Sequence, residues 1–178
     1  PLFVPFAIPL SELSEKYEVA YINDVHAWDN WIGSKENGIK GEDGEIDDMD
    51  MEVIKIKNGT LKPNHPYVIR PKDNVDRDLT LVLNTELCST AMEDRTTITC
   101  SSAYTKFEVN GTYVAMSKSD LDGRLIISTS GGWTQLKETS TLMPFRLHLT
   151  ITDHLGSPVD VSSESEIRIR VVGEKDEV

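Results

Sequence analysis

In FRLHLTIT, residues 145–152, apolar and polar side chains alternate without a break, so Phe145, Leu147, Leu149 and Ile151 fall on one face of an extended chain. Arg146, His148, Thr150 and Thr152 fall on the other, which predicts that His148 points away from the core. A strand of this kind must bury one face against a second layer and can leave the other in water. The same period of two recurs over residues 3–6, 17–23, 51–57, 67–70, 79–83, 96–100, 106–109, 112–116, 125–128 and 166–172. In the last of these, EIRIRVV, Ile167, Ile169 and Val171 take the inner face and the two arginines the outer. About ten or more short strands with almost no helix predict an all-β fold, an antiparallel β-sandwich or barrel-like module.

The turn chemistry between the segments is specific. KFEVNGTYVAM predicts a hairpin, with Asn110-Gly111 in the positive φ angles of a type I′ turn. Asn58-Gly59 and Asp122-Gly123 also read as turns, the second leading into the strand at Leu125. Both Asn-Gly pairs are followed by threonine and so match the glycosylation sequon, although turn formation already accounts for them. Pro63 and Pro66 bracket a turn at Asn64-His65, and Pro71 disfavours continuing a central strand. The one helical signal is SELSEKY, where Ser11 is placed to cap a single turn and Glu12 and Glu15 suit a helix N-terminus. Residues 24–50 carry no strand pattern and predict a long loop.

A length of 178 residues suits one domain, assigned as a single module over residues 1–174 with a tail or linker at 175–178. The formal net charge of −12 repels phosphate backbones, and no Lys/Arg cluster of the size of a nucleic-acid footprint occurs, which excludes nucleic acid as a partner. No apolar run approaches the length of a membrane helix, so the module does not insert into a bilayer through one. The opening PLFVPFAIP has three prolines and no basic region before it, which is unlike a signal peptide and like a strand cut from a longer parent.

GEDGEIDDMDMEV, residues 41–53, invites comparison with a calcium loop. With Gly44 as the turn glycine, Asp43, Asp47 and Asp50 take ligand places and Ile46 the apolar one. The first and third places are then Ile39 and Gly41, which supply no side-chain oxygen, so the segment reads as an acidic connector with those aspartates as weak metal candidates. The four histidines show no zinc spacing, no nucleophile elbow is present, and no catalytic constellation or cofactor motif emerges. Trp28, Trp31 and Trp133 are candidates for a sugar-stacking platform, with burial in the core or anchoring of loops as the alternative. Cys88 and Cys100 are compatible with one disulfide or with two separate buried thiols.

Several stretches occur together in a telling order: PLFVPFAIPLSELSEKYEVAYIND, MEVIKIKNGTLKPNHPYVIRPK, CSSAYTKFEVNGTY, GGW followed by LMPFRLHLTI, and IRIRVVGE. In order and spacing they resemble the non-repeat β module of BspA-like leucine-rich-repeat surface proteins of Bacteroides-type bacteria. The resemblance spans residues 1 to about 174, and none of the matched motifs is catalytic. It implies secretion, display at the bacterial cell surface, and a non-enzymatic role in adhesion to a host or extracellular protein or glycan, or as a structural spacer or cap beside the repeats. It also implies a short Trp-Gln-Ser-like segment upstream of Pro1, and makes any bridge from Cys88 to Cys100 particular to this chain. A carbohydrate-binding β-sandwich using the three tryptophans is the alternative function.

Overall fold

The computed structural model of the chain describes residues 1–28, 46–73, 80–101, 105–128, 132–153, 155–158 and 161–176. It is all-β. A four-stranded sheet has the order β11 (Val161–Lys175), β3 (Ile46–Ile56), β2 (Tyr17–Trp28), β5 (Tyr67–Pro71). A five-stranded sheet has the order β6 (Ile98–Ser101), β7 (Thr105–Thr112), β10 (Arg146–Asp153), β8 (Leu125–Ile127), β9 (Trp133–Gln135). A small third sheet pairs β1 (Ile8–Pro9) with β4 (Thr60–Leu61).

Period-two patterning sorts the core. Ala20, Ile22, Met51 and Val53 of the four-stranded sheet meet Phe107, Val109, Leu147 and Leu149 of the five-stranded sheet in one shared cluster. On the opposite face of the four-stranded sheet, Tyr17, Val19 and Ile56 pack with Ile8, Leu10 and Leu13 from the N-terminal segment in a second cluster. The four-stranded sheet is therefore covered on both sides. Beyond its inner face, among the described residues the five-stranded sheet has a small cluster of Leu121, Leu136 and Leu142, packed with Ile126 and Met116, to cover it. Each fully buried aliphatic or aromatic side chain contributes roughly 1.5–3 kcal/mol.

Several expectations are corrected. Asn110 and Gly111 do not turn: they lie within β7, paired with His148 and Leu147 of β10. The glycine serves close packing, since a Cβ there would lie 2.0 Å from Phe3 Cγ. The predicted strand at 112–116 is correspondingly reduced to Thr112, at the end of β7, and a bridge from Met116 to Leu142. Asn58-Gly59 and Asp122-Gly123 do turn, with φ of +100° at Gly59 and +46° and +78° at Asp122 and Gly123. The long loop is shorter than expected, because β2 runs on to Trp28 and β3 begins at Ile46, with Val25 opposite Met51 and Trp28 opposite Asp48. Backbone pairing extends a strand into polar sequence that carries no alternating signal. Residues 3–6 and 80–83 form no strand: Leu2 makes a single bridge to Tyr67, while Leu81 and Leu83 pack irregularly against the second cluster.

The pairing of β11 with β3 is parallel, so the sandwich is mixed and not antiparallel throughout. β11 follows β10 of the other sheet in sequence, and no tight turn fixes its direction against β3. Phe145, expected inside, is 44% exposed with φ +65°. Val171, also expected inside, is 44% exposed, whereas Ile169 packs against the shared core; the side chain of Ile167 lies outside the described residues. A helical turn, α1 (Ser11–Ser14), forms as expected, but its N-cap is Leu10 and no side chain caps it. A second, α2 (Lys118–Leu121), is closed by a capping box between Ser117 and Asp120, a local signature present in SKSD.

Candidate functional site

The two sheets treat their arginines differently. In the four-stranded sheet the parallel register sets Arg168 opposite Asp50 and Arg170 opposite Glu52. Arg168 Nε donates to Asp50 Oδ1 at 3.1 Å and Arg170 pairs with Glu52. Arg70 and Lys55 both donate to Glu18, the lysine at 2.6 Å, and these two hydrogen bonds hold the Glu18 carboxyl below its usual range. Every described arginine of this sheet is thus matched by a carboxylate.

Arg146 opens β10 of the five-stranded sheet, Arg124 immediately precedes β8 and Arg95 lies three residues before β6, and among the described residues none of them has a carboxylate partner. Strand geometry groups them around His148. Arg146 lies two residues before His148 on β10, so both side chains leave the outer face. Leu125 pairs with Leu149, and Arg124 is therefore the residue beside Thr150, on the far side of His148 from Arg146. His148 itself sits between Asn110 of β7 and Ile126 of β8. Asn110 accepts a hydrogen bond from Thr97 Oγ1 at 2.6 Å, which extends the polar row toward β6. Arg95 is anchored where β6 begins: its Nε and Nη2 donate to Thr90 O at 3.0 and 2.7 Å, and its guanidinium lies 4.9 Å from the centre of the Tyr113 ring. Glu108, opposite Thr150 on the same face, is paired with Lys106 of its own strand at 2.8 Å.

His148 points away from the core as its position in the alternation requires, yet it is only 7% exposed, and among the described residues its Nδ1 has no hydrogen-bond partner. Burial, followed by the positive charges of Arg124 and Arg95, pushes its imidazole down to about 4. At neutral pH the ring is uncharged. The face therefore carries hydroxyls, an amide and guanidinium groups around a neutral buried imidazole, with Ile126 and the Leu121, Leu136 and Leu142 cluster on its β8 side.

A groove of about 590 Å³ opens between the sheets. Ala20, Val53, Val68 and Ile169 form an apolar floor, Ile127 at the end of β8 the opposite wall, and the Glu18, Lys55 and Arg70 group the rim.

The residues singled out from sequence do not converge. Trp133 is 5% exposed and belongs to the shared core, so it offers no ring to a sugar. Trp28 ends β2 with its side chain outside the described residues, and Trp31 lies outside them altogether. Asp43 likewise lies outside, as does the side chain of Asp47, while Asp50 is held by Arg168 and Arg170 instead of standing free for a metal. Among the described residues no three His, Cys, Asp or Glu side chains gather. Cys88 is exposed and Cys100 buried, each a free thiol, and burial together with Asp24 raises the Cys100 thiol to about 11. The arginine face was legible only in part: alternation places Arg146 and His148 together, whereas Arg95 and Arg124 lie just outside strands and join them through pairing.

No protein-family model, no curated protein and no solved structure matches the chain.

Proposed function

We propose that this chain is a non-enzymatic β module of a bacterial cell-surface protein, serving adhesion to host or extracellular material, or acting as a structural spacer or cap beside a leucine-rich-repeat region. The order of family-like segments supports the surface setting. The observation that carries the non-enzymatic part is the chemistry of the outer face. Guanidinium groups stay protonated at all physiological pH values and so cannot serve as general acids or bases. The imidazole between them, its pKa pushed down to about 4, is neutral and a weak base at pH 7. Such a face suits binding better than proton transfer, and Glu18, Asp50 and Glu52 of the other sheet are engaged in ion pairs.

The test is to display the module on an inert surface, measure its attachment to extracellular-matrix proteins and glycans, and in parallel incubate the purified protein with glycan and peptide substrates. Attachment without turnover is the expected result. Substrate turnover that disappears in Glu18→Gln or Asp50→Asn overturns the reading.

A further inference from the structure

We propose that the outer face of the five-stranded sheet binds an anionic saccharide, with its carboxylate or sulfate groups on Arg124 and Arg146 at either side of His148 and its hydroxyls on Thr97, Asn110 and Thr150. This names a ligand class for the recognition role proposed above and rests on that reading.

Charge complementarity is the first argument. The chain as a whole carries −12, yet among the described residues Arg95, Arg124 and Arg146 have no carboxylate partner, and Glu108, the acid on the outer face of β7, is already matched by Lys106. An arginine fork donates in the plane that a carboxylate or a sulfate edge accepts, which a lysine cannot reproduce. Spacing is the second argument. Arg146 and the position beside Arg124 are four residues apart along β10, a span of about 14 Å at the rise of a strand. That suits a short oligomer with acidic groups on different sugar units better than one small ion. The third argument is what flanks the arginines: Thr150 lies beside Arg124, and Asn110 and Thr97 continue the row from His148 toward β6, neutral donors and acceptors of the kind that meets sugar hydroxyls. A peptide ligand would instead use a sheet edge and side-chain pockets, and a nucleic acid would run on from three arginines into an acidic surface.

The experiment is calorimetry on the full chain with a heparin-derived hexasaccharide, an oligogalacturonate, a neutral cello-oligosaccharide and sodium sulfate. Alongside it, NMR titration follows the His148 ring. One or both charged saccharides should bind, more weakly at higher salt, and the neutral one should not. Arg124→Gln and Arg146→Gln should each lower affinity by about tenfold or more, whereas Arg168→Gln, on the other sheet, should leave it unchanged. A bound anion beside His148 favours the imidazolium, so its titration should move upward with ligand. The proposal is overturned if neither charged saccharide binds, if the neutral one binds equally well, or if folded Arg124→Gln/Arg146→Gln protein, checked by its NMR spectrum, binds as the parent does. Sulfate alone matching the hexasaccharide would also overturn it, by reducing the face to a simple ion site. Surface attachment that survives in the double variant removes this site and leaves the recognition role standing. Turnover lost in Glu18→Gln or Asp50→Asn, with arginine-dependent binding retained, removes the non-enzymatic reading and leaves this site standing.

Discussion

The four-stranded sheet is buried on both faces and pairs each of its described arginines with a carboxylate, while the five-stranded sheet buries its inner face and carries unmatched arginines around His148 on the other. Both contain strands of the same alternating kind. The difference teaches that an outward charged residue in a strand has no fixed meaning until its cross-strand neighbour is known. Arg168 and Arg170 reinforce the β3–β11 pairing because Asp50 and Glu52 stand opposite. Arg146 stands opposite Thr112, and its charge remains available.

The largest test of this contrast uses neighbouring positions of β10. Leu149→Ala removes a fully buried side chain from the shared core and should cost about 2–5 kcal/mol in denaturant unfolding. Thr150→Ala, on the outer face, should cost under about 1 kcal/mol. Equal losses would mean that the outer face is packed as a second core.

The pH dependence should come next. The His148 pKa is lowered from 6.5 in an ordinary histidine to about 4 in the folded chain, so between these values the unfolded state binds more protons. The stabilisation is complete above about pH 6.5 and is lost as pH falls toward 4, by about 3 kcal/mol. In His148→Leu this part of the profile should be absent, and in Arg124→Gln it should shrink, since a neighbouring positive charge is removed. A wild-type stability flat from pH 7 to 4.5 would show that the imidazole is not shielded.

Gly111→Ala probes the seam between the N-terminal segment and β7. It should cost about 1–3 kcal/mol, because the new methyl meets the Phe3 ring. Phe3→Ala has its own cost, but the two changes together should be less harmful than their sum. Strict additivity in the double-mutant cycle would place the glycine's role elsewhere. The smallest effect belongs to the ion-pair ladder: Asp50→Asn should lose at most about 1 kcal/mol, since Arg168 and Arg170 are half exposed, and 1 M salt should shrink that difference. A loss several times larger would mean the ladder, and not the core beneath it, holds β11 in place.

The sequence alone determined the all-β class, the turns at Asn58-Gly59 and Asp122-Gly123, and the faces taken by Leu147, His148 and Leu149. These are local properties, set by the twofold repeat of an extended backbone and by the positive φ that glycine permits. Tertiary structure decided the rest. Gly111 looked like a turn until Phe3, distant in sequence, was found over it, and Asp50 looked like a free acid until β11 arrived in parallel beside β3. Trp133 became core, and Arg95, Arg124 and Arg146 came together around one buried imidazole, because strand pairing joins positions whose separation along the chain leaves no periodic trace.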